Sequence, residues 1–536
     1  MRRFITFVCT LCAILALFPV YSRFKVAAAP VPPGVHLGGL ELSTLKDPDE
    51  IRHHLEGAYT QTIAVQFADQ QVPLRPQDVD FQVDVEQMVA EASDYLQGPA
   101  FLDIAIRQAL GLPQQRRDIP VRFTMNTEKL RHWLAQVGFE YNRTPQGPRV
   151  LGAELQFTNG THPEATLPAG YVGGYLRDWT WQPGTPGYTL DVEASIPRVV
   201  EALTSAQDRV AELVLIETPA PPATMADLAR AINQHFSNFP GFAAAYVHDL
   251  QTGEEARVDD EVSFSGMSTL KVLIAAALMR QLPDGIAAGD ETAVQVGQWL
   301  DYALGESNNY AANQLLGFLG GGDTYAGARV VTDFARSLGF VNTYMLSGFD
   351  APTVAPLSTP GNSRTDWNTN PDPNLQSDPL EMGRLLSAIY ECTQDRGLLR
   401  TRYPAEITPE ECRQILFYMT HDQFQELIWG GLPEWQTAWI VHKHGFAFES
   451  HSDLALVWGP TGPYVISIFL FRSGWMDWGT SNSTMAAISR LTWRFFEFQR
   501  DQGADPAGEP LALSPPPGYV KIADYFPTAA KPSSDE

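Results

Sequence analysis

Apolar and polar positions along this chain change rhythm three times. Residues 4–21, FITFVCTLCAILALFPVY, carry no charge; Arg2 and Arg3 precede them, and Arg23, Lys25 and then VAAAP follow. A basic start, an apolar run and small residues form the pattern of an export signal. The run is long for a cleaved signal and slightly short for a membrane span. Over 1–29, cleavage near Ala29 and retention as a membrane anchor both fit. PVPPGV at 30–35 then reads as a stiff linker.

From 36 to 217 the pattern alternates between short strand-like and helix-like stretches. FQVDVEQMVAEAS at 81–93 and YTLDVEASIPRVVEAL at 188–203 echo one another: a strand, then DVE, then a helix rich in alanine and valine. RTPQGP and the Gly/Pro/Trp-rich stretch 169–187 read as loops. No constellation of reactive side chains stands out here, and the segment reads as a smaller mixed α+β binding or spacer module. TPAPPA at 218–223 marks a second linker.

After it the periodicities sharpen, and 224–500 reads as one domain. MADLARAINQHF has helical spacing, whereas GFAAAYVHDL and EARVDD are strand-like and separated by the turn QTGE. Near the other end, TAWIVHKHGFAF, SDLALVWG and YVISIFLFR read as three adjacent strands, and MAAISRLTWRFFEFQR as a closing helix. Strands at both ends of a domain with a helical middle predict an α+β fold whose sheet is assembled from both ends. From 502 onwards, DQGADPAGEP and AAKPSSDE read as a polar, disordered tail.

Totals narrow the function. A length of 536 residues implies two or more domains, and 44% apolar with 18% charged residues is a globular composition. A formal charge of −25 repels phosphate backbones and argues against nucleic-acid partners. Of four cysteines, Cys9 and Cys12 lie in the apolar terminal run. Cys392 and Cys412 remain, and a bridge or a buried free pair both fit.

The tetrapeptide STLK occurs twice, and its surroundings separate the copies. Ser43–Lys46 is followed by DPDE, so Lys46 is solvated, keeps its proton, and is a poor base. Ser268–Lys271 is followed by VLIAAALM, a helix apolar on nearly every face, with Lys271 its only charge. Burying an ammonium lowers its pKa or demands a partner. At i,i+3 Lys271 shares a helix face with Ser268, at a helix start that favours negative charge. That is how a serine hydroxyl becomes a nucleophile; a helix cap with a snorkelling lysine is the plain alternative. Two further stretches follow. GESNNYAANQLL carries Ser307 and Asn309 ahead of an amphipathic run, and VHKHGFAF places Lys443 mid-strand beside His444, Gly445 and Phe446.

S-x-x-K, S-x-N and K-x-G in this order resemble the class A serine β-lactamases and penicillin-binding proteins over about 224–500. The resemblance implies their fold, no cofactor and no metal, and an acyl-enzyme formed with β-lactams or D-Ala-D-Ala-type peptides. A D,D-peptidase or esterase, a non-turnover penicillin-binding sensor and a wall-binding protein remain alternatives. The implied roles are Ser268 as nucleophile, Lys271 as base or relay and Ser307 as proton shuttle. Lys443 would set the electrostatics, with Asn309, His444, Gly445 and Phe446 as substrate-binding positions. Backbone N–H groups of Ser268 and Phe446 would form an oxyanion hole, and Asp453 would brace the Lys443 strand.

Two departures matter. His444 stands where Thr or Ser is usual. The E-x-x-L-N loop whose glutamate activates water is replaced by NTYMLSGFDAPT and a polar insertion, with Asp350, Asp366 and Glu306 as open substitutes. A zinc site at His442, His444 and His451 would need further ligands. The stretch HLGGLELSTLKDPDEIRHHL resembles the opening of peptidoglycan-binding modules beside cell-wall enzymes. Together these readings place the expected protein in the cell envelope, secreted or anchored in the membrane.

Overall fold

A computed structural model describes residues 30–95, 100–154, 177–282, 291–422, 424–433, 438–516 and 519. The terminal segment 1–29 lies outside the described residues, and no helix among them is long and apolar enough to cross a membrane. The chain divides into two compact units: one holds the described residues up to Gly147 together with Gly184–Pro221, and the other those of Pro148–Pro183 and Pro222–Glu536.

The first unit is mixed α+β, built from short strands in small sheets around five helices. The echoed stretches share one local structure. Gln82–Val83 leads to Asp84, whose side chain accepts from Gln87 N and caps helix Val85–Asp94. Gly187–Leu190 leads to Asp191, which caps Val192–Thr204 through Ala194 N. In each, a carboxylate satisfies a free N–H of the first turn. In the GG-L stretch, Gly38 and Gly39 turn the chain between strands Val35–Leu37 and Leu40–Glu41.

The second unit is centred on five antiparallel strands: β1 (Phe242–Asp249), β2 (Glu255–Val258), β3 (Ile440–Phe446), β4 (Ser450–Gly459) and β5 (Gly462–Phe471), in the order β2-β1-β5-β4-β3. Phe242 lies opposite Phe471 and Asp249 opposite Tyr464, so the first strand is closed by the last. β5 is buried at every position, since helices cover both faces and its apolar run is continuous. On one face Ala243, Ala245, Ile466 and Ile468 meet α1 (Met225–Phe236) and the closing helix α7 (Trp478–Asp501). On the other, Ala244, Leu454, Val465 and Phe469 join a core with α2 (Leu270–Met279), α3 (Glu291–Leu304), α4 (Asn309–Leu319), α5 (Pro379–Thr393) and α6 (Pro409–Met419). Every residue of α2 is buried, as its uniform apolarity predicts.

The structure departs from the expected boundaries in two places. The module expected over 36–217 is interrupted, because the hairpin Arg149–Glu154/Arg177–Gln182 belongs to the second unit. Trp179 donates to Ala487 O at 3.1 Å, Arg494 pairs with Asp178 at 2.9 Å, and Trp181 packs edge-on against Phe495. Tryptophans in a loop-like context had masked a strand whose partner face is a helix more than 300 residues away. The tail expected from 502 is also packed where it is described. Ala507 N donates to Pro460 O, Trp458 Nε1 donates to Gly508 O at 2.9 Å, and Leu511 and Leu513 pack against the core.

Cys392 and Cys412 form a disulfide between α5 and α6, resolving the alternatives left by the sequence. Loop-closure entropy for a separation of 20 residues corresponds to about 3 kcal/mol. The double variant Cys392→Ala/Cys412→Ala is expected to lose about that much stability in urea unfolding, with wild type under reducing conditions losing a similar amount.

Candidate active site

Two elements from distant parts of the chain build the site: the start of α2 and the edge strand β3. Met267–Thr269 is a single 3-10 turn running into α2, with Met267 at φ 50°. A side-chain-bearing residue held there stores strain, and such strain gathers at working sites. Across 262–279 only Ser268 is not buried. Thr269 Oγ1 donates to Gly266 O at 2.6 Å and fixes the turn. Gly445 lies so close that a Cβ there would stand 3.1 Å from Ser268 N and 2.9 Å from Met267 Cβ. Only glycine lets the edge strand pass the Ser268 N–H.

Lys271 Nζ lies 3.0 Å from Ser268 Oγ and 3.5 Å from Ser307 Oγ. It donates to Ser307 O and, at 2.8 Å, to Asn309 Oδ1. Burial, followed by the charge of Lys443, lowers the Lys271 pKa to about 7, against opposing contributions from Asp350 and Asp422. A neutral amine keeps all these contacts: its two hydrogens serve the Ser307 and Asn309 oxygens, and its lone pair faces the Ser268 hydroxyl. The snorkelling alternative is excluded, since Lys271 is 1% exposed.

Ser307 sits at φ 57° in the turn before α4, and its neighbour Asn308 caps that helix through Ala311 N. Asn309 is therefore free of capping duty. Its Oδ1 faces Lys271, and its Nδ2 donates to Asp350 Oδ2 at 2.9 Å, leaving a second N–H for a ligand. One turn along α4, Asn313 Nδ2 donates to Phe349 O and Asn313 Oδ1 accepts from Phe349 N, at 3.0 and 2.8 Å. This amide clips the Phe349–Asp350 loop to the helix, and the Phe349 ring lies 4.8 Å from Lys271 Nζ. Of the three candidate acids, Asp350 is the one joined to the site. Asp366 pairs with Arg364, and Glu306 is exposed.

Lys443 is fully buried, although a lysine in the middle of an edge strand is ordinarily solvated. Its Nζ donates to Asp422 Oδ2 at 3.1 Å, and His444 Nδ1 donates to the same oxygen at 2.8 Å. Burial opposes ionisation of Asp422, but Lys443, His442 and His444 outweigh it and hold the carboxyl well below its usual range. Burial, then Lys443, lowers the His444 pKa. His442 Nδ1 donates to Asp453 Oδ1 at 3.0 Å; burial disfavours its charge, yet Asp453 and Asp422 raise its pKa. Asp453 also accepts from Ile428 N at 3.1 Å. His451 faces Ser481 Oγ at 2.7 Å, and burial lowers its pKa to about 4. His451 has a partner of its own, whereas His442 and His444 both lie beside Asp422. No group of three or more His, Cys, Asp or Glu able to hold a metal occurs among the described residues.

Phe446 is 40% exposed, and its ring belongs to an aromatic cluster with Phe424, His444, His451 and Trp478 at centroid distances of 4.7–5.9 Å. Ser43 lies in a turn before Asp47, the cap of the next helix, and Lys46 is exposed. The STLK copy at 43–46 therefore has no such surroundings. Asp422, Asn313 and Phe349 were missed by sequence reasoning. A buried Lys443 demands a counter-charge, but nothing in THDQF marks which acid supplies it.

A buried lysine of lowered pKa between two serines, beside a glycine edge strand, defines a serine hydrolase of the β-lactamase/transpeptidase kind. A family model described as the β-lactamase enzyme family matches residues 227–294 and 286–496, half of the chain, and the protein belongs to that family. β-Lactamases of Mycobacterium tuberculosis and Mycobacterium bovis are 28% identical over 242 residues, covering 41% of this chain and 69% of each relative. A β-lactamase from Streptosporangium roseum is 20% identical, with a TM-score of 0.38, covering 50% of this chain and 97% of its own. An ancestral class A β-lactamase is 22% identical, with a TM-score of 0.37, covering 49% and 98%.

Asp422→Ala would leave Lys443 buried without its counter-charge. The expected loss is about 3–5 kcal/mol, read as a lower denaturation midpoint. Asp422→Asn, which keeps the shape and loses the charge, should recover only part of it.

Proposed function

We propose that the second unit is an acyl-transfer enzyme whose substrates are β-lactams or the D-Ala-D-Ala-type peptides they imitate. The observation that carries this is Lys271, buried and lowered to about 7, with Ser268 Oγ and Ser307 Oγ both within 3.5 Å of its Nζ. In the first step Ser268 Oγ bonds to the substrate carbonyl carbon as its proton passes to Lys271. In the second the C–N bond breaks, and the proton returns through Ser307 to the leaving nitrogen. The N–H groups of Ser268 and Phe446 stabilise the oxyanion, a type of contact worth about 3 kcal/mol per donor. Asn309 Nδ2 receives the substrate's amide oxygen. Lys443 lowers the proton affinity of Lys271, and Asp350 and Asp422 oppose it in part. In the proposed setting, outside the cytoplasmic membrane, the disulfide persists. The first unit then serves to hold the enzyme near peptidoglycan.

Intact-protein mass spectrometry during reaction with a penicillin tests the proposal. Ser268→Ala should abolish the adduct and Ser43→Ala should leave it unchanged; an adduct that survives Ser268→Ala overturns the mechanism. A base must be unprotonated to act, so the acylation rate should rise with pH and level off above about 7.

The fate of the adduct divides hydrolase from sensor, and the bond from Asn309 to Asp350 supports Asp350 as the carboxylate that activates water. If so, Asp350→Asn should prolong the adduct about 100-fold or more while leaving its formation comparatively unaffected. A wild-type adduct that is already stable supports the penicillin-binding sensor instead.

A further inference from the structure

We propose that residues 504–516, together with Tyr519, act as a strap that positions the acyl-transfer site, with Tyr519 as the residue that fastens it. The strap leaves α7 at a reversal where Ala504 N donates to Gln499 O at 3.0 Å. It is then held by Pro460 and Trp458, and by Leu511 and Leu513, which pack half-buried against the core. Tyr519 N donates to Pro516 O, and its ring packs on Phe417 and His421 at centroid distances of 5.2 and 5.6 Å. The Tyr519 hydroxyl donates to Asp301 Oδ2 at 3.1 Å, and His421 Nδ1 donates to Asp301 Oδ1.

The Asp301 carboxylate is buried, so it depends on these two donors for the hydrogen bonds that water would otherwise give. Each partner leads directly into the site. His421 is bonded in sequence to Asp422, the counter-charge of Lys443 and His444. Asp301 lies in the last turn of α3, and Asn308 N donates to Tyr302 O at 3.0 Å across the turn that presents Ser307. The two approaches touch. A Cβ at Gly305 would stand 2.8 Å from His421 Cβ and 2.8 Å from Asp301 O, so the Ser307 turn is packed directly against the His421–Asp422 segment. One carboxylate thus joins three segments: the strap, the turn carrying Ser307 and the segment carrying Asp422. Asp422 in turn acts on Lys271, whose charged neighbours are Lys443, Asp350 and Asp422.

The effect on rate rests on the proposed acyl-enzyme reading; the fastening itself does not, and two measurements keep them apart. Hydrogen exchange on the full chain compares wild type, Tyr519→Phe, a chain ended after residue 503 and a control ended after residue 520. Both altered chains should lose protection at 303–309 and 419–422, while β1 and β5 stay protected and the control matches wild type. Unchanged protection at both segments overturns the strap. Penicillin labelling, followed against pH, is the second measurement. Tyr519→Phe should slow adduct formation about 5- to 50-fold and move its acid limb to lower pH, because a displaced Asp422 no longer supports the Lys271 proton. Slower labelling with the limb unmoved, or unchanged labelling, makes the strap a stabilising element only and overturns its positioning role. If wild type forms no adduct, the acyl-transfer reading fails, and hydrogen exchange still decides the strap.

Discussion

Two lysines buried close together, Lys271 and Lys443, set the problem that the rest of the site answers. An ammonium out of water is expensive, and two of them repel through a medium that screens poorly. The structure treats them differently. Lys443 is given Asp422, buried with it and shared with His444. Lys271 receives only acceptors that a neutral amine satisfies equally well, so its proton is the one to leave. Burial and the neighbouring Lys443 thereby leave Lys271 a base near neutrality.

The sheet makes this arrangement stiff. β3 is an edge strand, yet it is not loose: Ile440–Phe446 pairs with Val457–His451 along its whole length, and Lys443 lies opposite Leu454 in the buried ladder. Gly445 passes against Ser268, His442 turns to Asp453 and Phe446 to the aromatic cluster, and Asp422 is reached by both Lys443 and His444. The strain at Met267 and Ser307 is held by neighbours that leave neither turn an alternative: Gly266 and Gly445 on one side, the cap of α4 on the other.

Much of this was legible in order along the chain. The sheet built from both ends follows from apolar runs at 242–249 and 440–471 flanking a helical middle. The nucleophile helix follows from a lone lysine in an apolar stretch, and the better STLK from what surrounds each copy. The duplicated strand, Asp and helix unit also keeps its local form, because a cap needs only its own first turn. What escaped reading depended on distant partners. The strand Arg177–Gln182 looks like loop until α7 covers its tryptophans, and the strap looks disordered until the core receives Leu511, Leu513 and Tyr519.

The sequence by itself determined which residues have the right chemistry and which segments must be buried, since periodicity, local capping and the cost of a buried charge act within a few residues. It also determined that Lys271, the lone charge of an apolar helix, needs an answer to that cost, and it left the burial of Lys443 open. Only the tertiary structure decided what the answers are: Asp422 for one, loss of a proton for the other, and Asp350 rather than Asp366 or Glu306 beside Asn309. Those choices rest on distances of about 3 Å between residues tens to hundreds of positions apart, and no spacing along a chain encodes such a distance.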